Sequence, residues 1–138
     1  LSAADLVAIA EQWTAADDAG DFNRHGEWMH PDTEIHLVSR GRVLRGPQEW
    51  VDFMRAYRAG VPDLHTTVHD RFATEDRLAH RWTLTGTHSG DLFGMPPTGQ
   101  PIRVEGASVW ECREGRPERI FVYSSVVTAG SAGGGPAT

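Results

Sequence analysis

"LHTTVHDRFATEDRLAHRWTLTGTH", residues 64–88, is the stretch whose reading decides the fold. Apolar and polar residues alternate along both halves, 64–74 and 78–88, with the turn-forming "TEDR" between them. A period of two is the mark of strands with one buried face. In the second half, Leu78, His80, Trp82 and Leu84 share a face, and Ala79, Arg81 and Thr83 share the other. In the first half, Leu64, Thr66, Val68, Asp70 and Phe72 form the more apolar set, opposite His65, Thr67, His69 and Arg71. Two more strand-like stretches follow, 102–113 and 119–128, separated by the turn "EGRP".

Upstream the pattern is helical. Ser2 and Asp5 read as a capping box, and Leu6, Ile9, Ala10 and Trp13 fall on one face, with Asp17 and Asp18 fraying the end. "DFNRHGEWMHPD" suggests a short second helix, and "TEIHLVSRGRVLRG" a short strand pair around Gly41. "GPQEWVDFMRAYRAG" is the clearest helix, with Gly46 as N-cap, Gly60 at the C-terminal cap and Trp50, Phe53, Met54 and Tyr57 as its buried stripe. Helices followed by a long antiparallel meander predict an α+β domain, the helices packed into one face of a bent sheet. The expected organisation is a single domain over residues 1–128 and a flexible tail, "AGSAGGGPAT", over 129–138.

Composition narrows the function. The 138 residues carry a net charge of −6 and no Arg stripe with interleaved aromatics, which argues against nucleic acid as partner. All 13 basic residues are Arg, so Schiff-base chemistry on a lysine of this chain is excluded. Cys112 stands alone, no apolar run approaches a membrane span, and the first residues lack a basic n-region. A cytoplasmic protein is expected.

Residues 61–116 resemble the SnoaL-like polyketide cyclases of the NTF2-like (ketosteroid-isomerase-like) superfamily, through "PDLH", "DRLAHRW", "GTHSG" and "PPTGQ". The resemblance implies a cone, a curved sheet wrapped around three helices with a deep pocket at one end, and frequent homodimers. It also implies intramolecular aldol ring closure without metal or organic cofactor; relatives isomerise steroid enones, open epoxides or only bind. One departure stands out. Where many members carry Glu-x-Trp and then Asp on the last strand, "RIFVYSS" (119–125) places Arg119, Phe121 and Ser125.

Strand alternation suggests which side chains line the pocket. His80 is the candidate acid/base group, with Asp70 diagonal to it at about 7–8 Å across the hairpin to fix its tautomer. A turn centred near Glu114–Gly115 would set Phe121 opposite Ser108, placing Ser108, Trp110, Phe121, Tyr123 and Ser125 on one inward face. Tyr123 is then a catalytic candidate, its hydroxyl steadying an enolate oxygen. His36 reaches the pocket unless Ile35 and Leu37 take the inward positions. Trp13, Phe53, Tyr57 and Trp82 supply apolar walls, and Phe93 and Met95 close the mouth from the long 86–106 connection as a lid. His65 and His69 share a strand face but stand roughly 13 Å apart, too far to share a metal. His88 is expected to organise its loop.

These readings converge on a cofactor-independent cyclase or isomerase acting on a hydrophobic, polyketide-like intermediate, by acid/base or shape-templated catalysis. The alternatives are a non-catalytic binding protein of the same fold and, third, an epoxide hydrolase.

Overall fold

The computed structural model describes residues 2–128; the tail expected over 129–138 lies outside them. Helix α1 (Ala3–Ala19) starts at the capping box: Asp5 N donates to Ser2 Oγ at 3.2 Å, and Ser2 N donates back to Asp5 Oδ2 at 2.8 Å. It buries Leu6, Ala10, Trp13 and Ala16 along one stripe and stops at Gly20, whose φ of 71° few other residues adopt. Helix α2 (Asn23–Glu27) is short and buries His25. Helix α3 (Gly46–Gly60) buries Trp50, Val51, Phe53 and Met54, with Tyr57 half-buried. Its N-cap is Arg45 rather than the expected Gly46, which is already helical in hydrogen bonding, and its C-cap is Val61 rather than Gly60.

Six strands form one sheet in the order β2-β1-β6-β5-β4-β3. The expected small pair is β1 (Glu34–Leu37) and β2 (Arg42–Arg45), joined by a 3₁₀ turn at Val38–Arg40. The meander is β3 (His65–Ala73), β4 (Arg77–Thr87), β5 (Pro101–Arg113) and β6 (Arg116–Thr128), antiparallel throughout. The small pair joins it by a parallel pairing of β1 with β6, so the sheet is mixed. Three helices against one face of an unclosed, curved sheet fulfil the α+β cone.

The main core gathers Leu6, Trp13, Phe22, Ile35, Trp50 and Trp110 between helices and sheet. A second cluster around Val61, Leu64, Leu84 and Leu92 seats the loop after β4. Among the described residues no helix is long and apolar enough to cross a membrane.

Candidate functional site

Between the helices and the concave face of the sheet lies a cavity of about 120 Å³. Trp13, Phe53, Tyr57, His80, Trp82, Ser108 and Trp110 all line it. Its single exposed lining residue, Arg40, marks the opening. The volume is near that of a cavity filled by one benzene ring, roughly 150 Å³. A larger occupant must therefore extend through the opening.

Phe93 covers it. Its ring stacks on Phe53 at 5.2 Å and stands edge-on to Tyr57 at 5.7 Å, and the Arg40 guanidinium lies 5.0 Å from its centroid. Phe93 and Gly94 both have positive φ, 48° and 88°, at the tip of a tight turn closed by Leu92–Met95 backbone hydrogen bonds. A bulky residue in that region is strained. Met95, expected beside Phe93, is instead exposed and outside the cavity wall, because the tight turn sends residues 92 and 95 back in opposite strand positions. His88 is buried at the root of this loop, with Nδ1 3.2 Å from Thr98 Oγ1 and its backbone paired to Gln100 and Gly99.

Two single-residue bulges decide which other expected residues reach the cavity. On β3 the register shifts between Val68 and Asp70, leaving His69 as the extra residue. Leu64, Thr66 and Val68 keep the expected inward face, but beyond the bulge Arg71 pairs with His80 and turns inward. Asp70 faces outward, where its Oδ2 accepts from Arg81 at 2.6 Å, and so does Phe72, 70% exposed. Asp70 therefore cannot orient His80.

The same device acts on β6. The turn at Glu114–Gly115 forms where expected, pairing Arg113 with Arg116. A shift next to Glu111/Cys112 then skips Glu118, so Trp110 faces Ile120 and Ser108 faces Val122. The lining from β6 is Ile120, Val122, Ser124 and Val126. Phe121, Tyr123 and Ser125 lie on the convex outer face, with Tyr123 47% exposed. An inserted residue inverts every following side chain. His36 is outside too: Ile35 and Leu37 take the buried positions, and His36 stacks on Phe121 at 4.7 Å with Nε2 3.1 Å from Glu34 Oε1. His65 pairs with Asp18 and His69 bonds Thr83 Oγ1, each occupied separately.

His80 stands in the cavity wall, edge-on to Trp110 at 5.9 Å. Its Nδ1 is buried without a hydrogen-bond partner. Burial, reinforced by the Arg71 guanidinium, lowers its pKa from the ordinary histidine range to about 4, so the ring is neutral at pH 7. Arg71 is held by Ala10 O at 3.3 Å and Thr14 Oγ1 at 3.1 Å. Across the cavity wall, Trp82 Nε1 donates to Ser108 Oγ at 3.0 Å, which leaves the Ser108 hydroxyl proton free to donate. Gly106 makes that pairing possible, since a Cβ there would come within 2.3 Å of the Trp82 ring.

Of the lining residues not singled out from the sequence, Asp17 is the one that carries a carboxyl group. It follows Ala10 and Trp13 on the inward stripe of α1, because the helix continues to Ala19 instead of fraying at Asp17. Trp13 and Asp17 are four residues apart, the spacing that puts side chains on one helical face, and that was the available signal. Its Oδ1 is buried and has no hydrogen bond. Burial, with the Asp18 charge adding to it, raises its carboxyl well above the usual range.

The family model for SnoaL-like polyketide cyclases matches residues 7–120. Among solved structures, IdmH of Streptomyces antibioticus, a candidate polyketide cyclase, is 29% identical over 88% of this chain and 90% of its own, with a TM-score of 0.72. AclR of Streptomyces galilaeus, a candidate hydroxylase, is 25% identical over 89% of this chain and 80% of its own, with a TM-score of 0.79. A candidate ketosteroid isomerase of Kribbella flavida shares the fold at 17% identity, covering 88% of this chain and 78% of its own at a TM-score of 0.70. No curated protein matches the chain. With the match spanning nearly all of the helical third and the strands from β1 through β5, the chain belongs to the SnoaL-like polyketide cyclase family.

Proposed function

We propose that the protein is a cofactor-independent cyclase or isomerase that closes a ring in a polyketide-type intermediate. The observation that carries this reading is His80: an imidazole free of protein partners at Nδ1, in the wall of a largely apolar cavity. A neutral imidazole takes the proton from carbon next to a carbonyl, and the free Ser108 hydroxyl proton can meet the enolate oxygen. The apolar walls of Trp82, Trp110 and Leu84 fold the chain so that its reacting ends meet. An epoxide hydrolase needs carboxylates to activate water, and Asp70 lies outside the cavity.

The test is ring closure of a short aryl polyketone thioester, followed by ultraviolet absorbance. His80→Ala should slow it about 100-fold, within the range for loss of a general base. Tyr123→Phe should leave the rate unchanged, since that hydroxyl faces outward. Ligand-induced thermal stabilisation with no product would instead make the protein a binder.

We also propose that a second copy of the chain covers the convex face. The pairing aligns Val43, His36, Phe121, Val109, Ala79 and Phe72 in one row across all six strands. Phe72 is 70% exposed, Val109 36% and Val43 36%, an apolar band that a sheet facing water avoids. Light scattering should give a dimer at micromolar concentration, and Val109→Glu should give a folded monomer. A monomeric wild type would refute this.

A further inference from the structure

Asp17 belongs to no hydrogen-bonded pair that accounts for its burial. The nearest basic group among the described residues is His25, whose Nε2 lies 3.3 Å from Asp17 Oδ1. That imidazole is already committed. Trp50 Nε1 donates to His25 Nδ1 at 2.9 Å, so the ring proton sits on Nε2 and is directed at Trp13 O, 3.0 Å away. With Nδ1 used as acceptor, His25 is neutral and gives Asp17 no ionic partner.

The other neighbours lead to the same result. On α3, the Arg58 guanidinium binds the backbone carbonyls of Asp17 and Asp18, each at 3.3 Å. On β3, Thr66 N and His65 Nδ1 take the Asp18 carboxylate, each at 2.8 Å, and Arg71 is tied to Ala10 and Thr14. Asp18, on the same helix, adds negative charge nearby. A carboxyl in this setting is held as the neutral acid, facing a cavity that contains a neutral base.

We propose that Asp17 is the proton donor of the cavity, and that the substrate is a ketone whose oxygen sits against α1. The assignment rests on the cyclase reading and deepens it. In an aldol closure, His80 takes a proton from carbon α to one carbonyl, and the freed electron pair forms the new C–C bond to a second carbonyl carbon. The π pair of that carbonyl moves to its oxygen, which receives the Asp17 proton. The product is a β-hydroxy ketone isomeric with the substrate; passage of a proton from imidazolium to carboxylate through solvent restores the site. A closure templated by shape alone has no use for such a donor.

The probe is acetophenone, one ring and one ketone, matched to the cavity volume. Infrared difference spectra at pH 7 should show a protonated-carboxyl C=O band that Asp17→Asn removes. The ketone stretch of bound acetophenone should move to lower frequency in the wild type and not in Asp17→Ala. In ring closure, Asp17→Asn should fall about 100-fold with little change in acetophenone affinity. Its pH profile should also lack the alkaline fall caused in the wild type by ionisation of Asp17. Absence of the band, absence of the ketone shift, or wild-type turnover in Asp17→Asn would each overturn the assignment. If the wild type turns nothing over while both spectral signatures are present, the cyclase reading fails and Asp17 stands as the ketone's donor.

Discussion

Between pH 6.5 and 4.5 the protein should lose several kcal/mol of stability, before any lowered carboxylate is titrated. Two buried histidines cause this. His25 and His80 have folded pKa values of about 4, both because burial disfavours the imidazolium. In the unfolded chain each binds its proton near pH 6.5. Stability is therefore intact above about pH 7, and is lost as the pH falls through the unfolded value toward the folded one. Each ring accounts for roughly 3 kcal/mol over the full window, against a typical total of about 5–15 kcal/mol. Asp17 works in the opposite direction. Its raised pKa means the folded state takes a proton before the unfolded state does, which offsets part of the loss on acidification. Urea midpoints at pH 7.5 and 4.5 read the difference. His80→Gln should remove about half of the acid loss, and Asp17→Asn should deepen it. Equal midpoints at the two pH values, in the wild type and in Asp17→Asn alike, would mean that both rings take up their protons in the folded protein as readily as in the unfolded chain.

The fold was legible because its strongest signals are periodic. The alternation 78–84 put Leu78, His80, Trp82 and Leu84 on the inner face, where they are. The α3 stripe also named Trp50, Phe53 and Met54. What failed was parity. His69 and Glu118 are single extra residues in otherwise regular strands, and neither is a Gly or Pro that would have announced a bulge. Each sends a short run of polar candidates, Asp70 on one strand and Tyr123 and Ser125 on the other, to the convex side. His36 was lost differently: a four-residue strand offers too few alternations to choose a face, and Ile35 and Leu37 win by burial. Asp17 was missed because an Asp pair near a helix end resembles a solvated terminus. Only the length of α1 shows that one of the two carboxyls continues the inward stripe while its neighbour Asp18 accepts from Thr66 N at the start of β3.

The aromatic residues should then divide into two kinds on mutation, and Trp13→Ala against Trp82→Ala makes the division measurable. Trp13 is 6% exposed, stacks on His25 at 4.0 Å and lies 5.1 Å from Trp110, so it joins α1 to α2 and to the sheet at once. Its removal should destabilise by about 3–5 kcal/mol, the range for a large core aromatic. It also uncovers the ring that holds Trp50 Nε1. Trp82 is only half-buried, and it meets the cavity over Gly106 with one hydrogen bond to Ser108. Trp82→Ala should destabilise by about half as much or less, because part of its surface already faces solvent or cavity. It should enlarge the cavity, so that acetonaphthone, a two-ring ketone, gains affinity relative to acetophenone. Urea unfolding and titration calorimetry on the two variants measure both quantities. If Trp82→Ala is as damaging as Trp13→Ala and the two-ring ketone gains nothing, Trp82 is core rather than wall. The cavity would then be limited to one ring unless Phe93 moves, and the size of the intermediate would be set by the loop at 92–95 instead of the sheet.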